Sequence, residues 1–273
     1  MPDVARKVLQ PLHQFGSHKR VAVTGSLTPI RGYGSSDGGF NLGMSSALLD
    51  ETHSEGQVHL VMNGSSFHAS TVEKDLTSAQ FSSNDGTDLI PYSKFTLITA
   101  GGSMDFELDG LDGLKPRRSS VVPAFFRDVV RSNKEVTPLA AFVRDSRDIA
   151  GDEVDELVKL IRASKDEHIL VTMGTYNMQN VAQELESRLG ESLGNKRIIL
   201  TGSRLPLGLS DMSDAPFNLG YALGKVGFVD PGVHVAVNGI VVPRSEDVIK
   251  VMYTPEEISR IRGDQRPKKR RKS

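Results

Sequence analysis

The chain has 273 residues, of which 38% are hydrophobic and 25% charged, so it is long enough to bury a sizeable core. Its formal net charge of −1 gives no overall field that would indicate a nucleic acid or membrane partner. The absence of cysteine excludes disulfides and thiolate metal sites and fits a reducing compartment. The N-terminal stretch lacks the apolar core of a signal peptide, and no apolar run approaches the roughly 20 residues that span a bilayer. We therefore expect a cytoplasmic protein.

The chain contains an internal repeat. The matching pairs are KRVAVTGS (19–26) with KRIILTGS (196–203), FNLG (40–43) with FNLG (217–220), and VHLVMNG (58–64) with VHVAVNG (233–239). The first two pairs share an offset of 177 positions (196 − 19), and the third follows after a short gap. An ordered series of matches predicts that part of one domain is present twice.

The repeat predicts three segments. Residues 1–94 form a partial copy of the latter half of a domain, and they end in a stretch rich in Ser, Asn and Gly. Residues 95–260 form the complete domain. Residues 261–273, which include RPKKRRKS, are predicted to be a disordered basic tail. A nuclear address or a phosphate-binding tail is the alternative interpretation of this composition.

The complete domain alternates predicted strands and helices. The strand candidates are FTLIT (95–99), LAAFVRD (139–145), HILVTMG (168–174), RIILTG (197–202) and VHVAVNG (233–239). They are short apolar runs rich in β-branched residues, as expected for buried parallel strands. Amphipathic helices such as GDEVDELVKLIRAS lie between them. The pattern predicts a three-layer α/β fold with a parallel sheet and helices on both faces.

Hydroxyl groups and one lysine follow the predicted strands, where ligands of parallel sheets bind. The candidates, in chain order, are Gly102, Ser103, Ser146, Arg147, Gly174, Thr175, Tyr176 and Lys250. A hydroxyl nucleophile with a nearby base suits attack on an amide carbonyl, and a lysine can act as the base. Taken singly, the same residues are typical of turns, helix caps and exposed surface.

Five motifs in order resemble the asparaginase/glutaminase family, particularly its short bacterial members that keep only the N-terminal domain. They are AGGSM (100–104), DSRDI (145–149), TMGTYNM (172–178), TGSRLP with SDAPFNLGYAL (201–223), and SEDVIK (245–250). The resemblance implies the family's N-terminal-domain fold, which is of the Rossmann or flavodoxin type.

The resemblance also implies roles for the candidate residues. Ser103 would be the nucleophile, Thr175 would work with Lys250, and Ser146 would hold the substrate carboxylate. Substrate would also contact Gly102, Arg147, Gly174 and Tyr176. The implied default reaction converts L-asparagine to L-aspartate and ammonia through an acyl intermediate, with no cofactor or metal.

The sequence departs from the family pattern at the substrate position. Tyr176 replaces the aspartate that grips the substrate ammonium, Met173 replaces a histidine, and the flexible-loop tyrosine has no match, since nearby Phe106 lacks a hydroxyl. A tyrosine is uncharged at neutral pH. Two hypotheses follow. The protein hydrolyses a linear amide that lacks a free α-ammonium, or it is a non-catalytic relative that binds a small molecule or serves in assembly.

The partial copy raises the question of assembly. Its strands could extend the sheet of the complete domain, or they could replace that domain's own strands and free the displaced half for another chain. The second arrangement would produce a domain-swapped oligomer. We expect a homo-oligomer in which the first segment packs on the second or on a partner subunit, and a small-molecule amide or amino acid as ligand.

Overall fold

The computed structural model describes residues 2–7, 20–28, 36–51, 57–109, 113–209 and 212–263. The elements of the first segment are α1 (2–7), β1 (Val21–Thr24), α2 (Gly38–Glu51), β2 (Val58–Met62), β3 (Ser65–His68), β4 (Val72–Lys74) and β5 (Phe81–Ser83). β1 and β2 pair in parallel, β3 returns antiparallel to β2, and β4 and β5 form a separate hairpin. The first segment is therefore a small sheet with one long helix beside it.

The second segment alternates strands and helices as predicted. Its elements are β6 (Lys94–Gly101), β7 (Phe106–Leu108), β8 (Leu114–Pro116), α3 (Val122–Ala124), β9 (Glu135–Arg144), α4 (Asp152–Ala163), β10 (His168–Thr172), α5 (Met178–Leu189), β11 (Arg197–Thr201), α6 (Ala215–Val226), β12 (Gly232–Val237), β13 (Ile240–Val241), α7 (Val248–Met252) and α8 (Pro255–Gly263). A six-stranded sheet has the order β13-β12-β11-β10-β6-β9. All its pairings are parallel except that of β12 with β13.

Alternate residues of the central strands enter two separate cores. Leu97 and Leu170 pack on one face of the sheet with α6 and the π-helix Phe125–Val130 that continues α3. Ile98 and Val171 pack on the other face beneath α4 and α5. The fold class predicted from the sequence, a three-layer α/β sandwich, is thus confirmed. No described helix combines the length and the apolar character needed to cross a membrane.

The strands of the first segment do not join the main sheet. β1, β2 and β3 form a sheet of their own, so within this chain they neither extend the six-stranded sheet nor replace any of its strands. The reason is that the second segment supplies its own β11 and β12, and β13 covers the free edge of β12. The two segments meet instead through α2 and α6, whose apolar side chains share one core. An exchange of segments between chains stays a prediction.

The junction and the tail also differ from expectation. The stretch 81–94 contains β5 and three buried residues, Phe81, Ile90 and Tyr92, and the last two belong to the core shared with the second segment. The Tyr92 hydroxyl donates to the Leu223 carbonyl of α6 at 2.5 Å. α8 extends to Gly263, so the first residues of the predicted disordered tail are helical. The remainder of the basic tail lies outside the described residues. The division into repeat and domain stays a prediction.

Candidate active site

The first strand of the main sheet ends in two glycines that pack on neighbouring strand ends. Gly101 and Gly102 have φ angles of +80° and +82°, which L side chains rarely adopt. A Cβ atom on Gly102 would lie 2.2 Å from the backbone nitrogen of Gly174, so only glycine fits there. The Gly102 N–H donates to the Arg144 carbonyl at 2.9 Å. Ser103 follows directly, half-buried at the start of a 3₁₀ turn.

Ser146 joins this contact from the end of β9. Its side chain is buried, and a Cβ atom on Gly174 would lie 2.8 Å from its hydroxyl oxygen. The same hydroxyl accepts a long hydrogen bond, 3.4 Å, from the Asn177 N–H. The ends of β6, β9 and β10 therefore meet at Gly102, Ser146 and Gly174, as the sequence predicted for residues that follow parallel strands.

Thr175 is the next residue along and is almost fully buried. Its hydroxyl lies 2.9 Å from the hydroxyl of Tyr253, which directly follows α7. Burial is the main cause that raises the pKa of Tyr253, to about 12, so this phenol is protonated at neutral pH. Tyr253 was missed by sequence reasoning, because no motif marks it and 78 positions separate it from Thr175.

Lys250 lies on α7 one turn before Tyr253, and its side chain is exposed. The Asp247 carboxylate caps this helix by accepting from the Ile249 N–H at 3.0 Å. Within the described part of the chain, the Lys250 ammonium makes no hydrogen bond or ion pair. The structure thus places Tyr253, and not Lys250, on the Thr175 hydroxyl, and the pairing of Thr175 with Lys250 stays a prediction.

Tyr176 belongs to a stack of four side chains. Its ring lies nearly parallel to that of Tyr253, with centroids 5.7 Å apart and an interplanar angle of 11°. The Arg147 guanidinium lies 5.1 Å from the Tyr176 centroid, and the Arg204 guanidinium lies 5.3 Å from the Tyr253 centroid. Asp145 accepts two hydrogen bonds from the Arg147 guanidinium, at 2.6 and 3.0 Å, and this pairing raises the pKa of Arg147.

Asp214 has a structural part in the loop after β11. Its carboxylate accepts from the N–H groups of Arg204 and Leu205 at 3.0 to 3.1 Å and from the Asn218 side chain at 3.1 Å. The preceding Ser213 hydroxyl accepts from the Ala215 N–H at the start of α6. The Ser213 hydroxyl thus caps the start of α6, whereas the Asp214 carboxylate holds the loop after β11 against the Asn218 side chain.

Asp105 is a second residue that sequence reasoning missed. It is fully buried two positions after Ser103 and accepts from the Val121 N–H at 3.0 Å and the Ser120 hydroxyl at 2.8 Å. Burial raises its pKa, although these hydrogen bonds oppose the shift. Its position directly after the AGGSM motif was the available signal. The carboxylate ties the turn of the predicted nucleophile to the segment that precedes α3.

The asparaginase N-terminal domain profile (Asparaginase, N-terminal) matches residues 94–254. The chain belongs to the asparaginase family. No curated protein matches it by sequence. Among solved structures, the thermostable L-asparaginase from Thermococcus kodakarensis is similar at 18% identity and a TM-score of 0.46, covering 56% of this chain and 46% of that one.

Two further solved structures are similar to about the same degree. A probable cytoplasmic L-asparaginase from Campylobacter jejuni has 19% identity and a TM-score of 0.45, covering 56% of this chain and 48% of that one. L-asparaginase I from Vibrio cholerae O1 biovar eltor has 19% identity and a TM-score of 0.48, covering 56% of this chain and 46% of that one. This member of the family therefore spans less than half the length of these structures.

Proposed function

We propose that this asparaginase-family protein is an amidohydrolase that cleaves a linear amide through the hydroxyl of Ser103. The observation that carries the proposal is the close packing of Gly102, Ser146 and Gly174, because it brings Ser103 and Thr175 to one edge of the sheet. Catalysis of acyl transfer needs a nucleophile, a base and a polarised carbonyl in one place. The positive-φ glycines and the buried hydroxyls favour such an arrangement here.

The proposed reaction has two steps. The Ser103 oxygen attacks the amide carbonyl, and a base at this edge takes up its proton and delivers it to the amide nitrogen, which leaves as ammonia as the C–N bond breaks. Water then attacks the resulting ester and releases the carboxylic acid and the free serine. The candidate groups for these proton transfers are Thr175 and Lys250. Thr175 is hydrogen-bonded to the protonated phenol of Tyr253, and Lys250 lies on the adjoining helix.

We further propose that the substrate lacks a free α-ammonium group. The Arg147 guanidinium and the Tyr253 ring both lie against the Tyr176 ring, so this ring already has a cationic partner and an aromatic partner. Asp145 already binds the Arg147 guanidinium through two hydrogen bonds. An ammonium placed beside the stack would meet the guanidinium groups of Arg147 and Arg204, and these like charges disfavour its binding. L-asparagine remains the default against which other amides are compared.

Ammonia release tests the reaction. The wild-type protein and Ser103→Ala are compared on L-asparagine, L-glutamine and matched amides without the α-amino group, and thermal unfolding verifies that the variant is folded. Release that depends on Ser103 and is faster for the amides without the amino group supports both proposals. Release that persists in folded Ser103→Ala excludes Ser103 as nucleophile. Faster release from L-asparagine contradicts the substrate proposal alone.

A non-catalytic role in binding a small molecule is the second candidate function. The observation that favours it is the engagement of the Thr175 hydroxyl by Tyr253, together with the exposure of Lys250. Calorimetric titration with the same amides distinguishes the two candidates, because a binder would show affinity without ammonia release.

We also propose, from composition, that the protein is cytoplasmic and acts on a small molecule.

A further inference from the structure

The helices α2 and α6 pack against each other with the same residues in reciprocal positions. A Cβ atom on Gly43 would lie 2.1 Å from the Phe217 carbonyl oxygen, and one on Gly220 would lie 1.9 Å from the Phe40 carbonyl oxygen. Because 177 positions separate Gly43 from Gly220 and Phe40 from Phe217, each of these contacts is the counterpart of the other.

Two further contacts each join a residue of α2 to the residue of α6 that matches it in the repeat. A Cβ atom on Gly39 would lie 3.2 Å from the Pro216 Cβ atom, and one on Gly224 would lie 2.7 Å from the Ala47 Cβ atom. Both pairs have the offset of 177. The contacts advance along both helices in the same direction, so the helices run parallel. A reciprocal contact of this kind is the geometry of a two-fold dimer, in which residue i meets residue j and j meets i.

The local structure before each helix is also the same. Asp37 accepts from the N–H groups of Leu27 and Thr28, as Asp214 does from Arg204 and Leu205. After the helices, Asn63-Gly64 and Asn238-Gly239 form the same turn, with φ angles of +54° and +72° in the first and +51° and +77° in the second. The two helices are therefore held by the same loop before them and followed by the same turn, and they present matching residues to each other.

We infer that the face of α6 in contact with α2 is a self-association surface, which α2 occupies within the same chain in place of a second copy. The first segment then has a definite role, because it covers this face and makes the second segment independent of a partner there. If α2 is displaced, α6 of one chain pairs with α6 of another, because Gly220 can receive the Phe217 carbonyl as it now receives that of Phe40.

Charged residues at the ends of the helices favour the pairing of α6 with α2 of the same chain over the pairing of α6 with α6 of another chain. The Lys225 ammonium of α6 is mostly buried and forms ion pairs with Glu51 and Asp50 at the end of α2. The Tyr221 hydroxyl also donates to Asp50 at 3.2 Å. At the offset of 177, Asp50 corresponds to Gly227 and Glu51 corresponds to Phe228, so α6 has no acid at these positions. A pair of α6 helices would therefore bury two lysines without their acids, which favours α2 as the partner.

Cysteine cross-linking of the full chain tests the inference, since the natural sequence has no cysteine. The Cβ atoms at positions 39 and 216 would lie 3.2 Å apart. They need to separate by only a few tenths of an ångström to reach the Cβ–Cβ distance found in disulfides, about 3.5–4.5 Å. We expect Gly39→Cys/Pro216→Cys to form a disulfide within one chain, so that the oxidised protein keeps the mass of a single chain on a denaturing gel. A linked dimer would show that the segments exchange between chains, and absence of any link would show that the helices are not paired. Either result overturns the inference.

A second pair of variants tests the self-association surface itself. Gly43→Leu displaces α2, and Pro216→Cys then reports on α6 pairing, because position 216 would meet its own counterpart across the two-fold axis. We expect Gly43→Leu/Pro216→Cys to give a linked species of twice the chain mass, and Pro216→Cys alone to give none. The inference is overturned if the single variant links as readily, or if the double variant does not link although circular dichroism shows it folded. Should Gly43→Leu fail to fold, Gly43→Ala makes the same clash with a smaller side chain and replaces it.

Discussion

The hydroxyl of Thr175 lies 2.9 Å from that of Tyr253, and the ring of Tyr253 lies parallel to that of Tyr176, the residue after Thr175. One side chain from the end of α7 thus contacts two neighbouring residues, Thr175 and Tyr176, in the loop after β10. Its phenol stays protonated at neutral pH because burial raises the pKa to about 12. This contact links the loop of the proposed catalytic hydroxyl to the helix that carries Lys250, and it is the basis of the first prediction.

Tyr253→Phe keeps the ring stack but removes the hydrogen bond to Thr175. We expect the free energy of unfolding to fall by about 1–2 kcal/mol, because the buried Thr175 hydroxyl loses its partner. We also expect the rate of amide hydrolysis to fall about 10-fold or more if this hydroxyl pair transfers protons. A double-mutant cycle with Thr175→Val measures the coupling. Strictly additive effects in urea unfolding would show that the two hydroxyls do not interact.

Gly102→Ala introduces a clash at the meeting point of the three strand ends. The new Cβ atom would lie 2.2 Å from the Gly174 nitrogen, in a backbone that cannot move without disturbing β10. We expect a loss of about 2–4 kcal/mol in unfolding free energy, together with loss of activity. Gly86→Ala is the matched control, since Gly86 has a φ angle of +73° but nothing within 4 Å of its Cβ position. That control isolates backbone strain, about 1 kcal/mol. Equal losses in the two variants would contradict close packing at Gly102.

Tyr176→Asp places a carboxylate at the edge of the ring stack. We expect it to raise kcat/KM for L-asparagine, relative to the matched amide without the α-amino group, by about 10-fold or more, because the substrate ammonium gains an opposite charge. Tyr176→Asn has nearly the same size without the charge and should leave the ratio unchanged. Steady-state kinetics on both amides gives the ratio. An equal change in both variants would mean that removal of the ring, and not the charge, controls selectivity.

His59 makes the stability of the first segment depend on pH. It is buried in β2 opposite His68 of β3, and neither ring nitrogen has a partner among the described residues. Burial, with a smaller contribution from the nearby His68, lowers its pKa from 6.5 to about 4. The unfolded chain therefore binds this proton more readily than the folded one between those values. Stability is greatest above pH 6.5 and is lost as the pH falls toward 4, by about 3 kcal/mol in full.

Urea unfolding at pH 7 and pH 4.5 measures this dependence. We expect His59→Leu to reduce the difference between the two pH values. His234→Leu is the matched control, because His234 occupies the corresponding strand position in β12 but is bonded to the Asp230 carbonyl at 2.9 Å. If the control variant alone reduced the pH dependence, the titrating group would lie in the second segment and the prediction for His59 would be wrong.

The main features of the fold were predictable from the sequence because they depend on local patterns. Runs such as HILVTMG and RIILTG are apolar, β-branched and closed by glycine, so their assignment as buried strands needs no knowledge of distant residues. The rule that ligands bind beyond parallel strand ends then selected Gly102, Ser146 and Gly174, and the structure brings these three together.

Tertiary structure alone decided the remaining contacts, since each depends on how distant elements pack. Tyr253 reaches Thr175 across 78 positions, and no spacing in the sequence announces that contact. The repeat showed that two similar helices exist, but it left open where the first would lie. Close approach of α2 and α6 at Gly43 and Gly220, with Lys225 facing Glu51, decided that the helices pair with each other and that β1 to β3 form a separate sheet. The sequence therefore determined the elements and the family, whereas complementary surfaces decided their arrangement, because packing selects among partners that local propensity cannot distinguish.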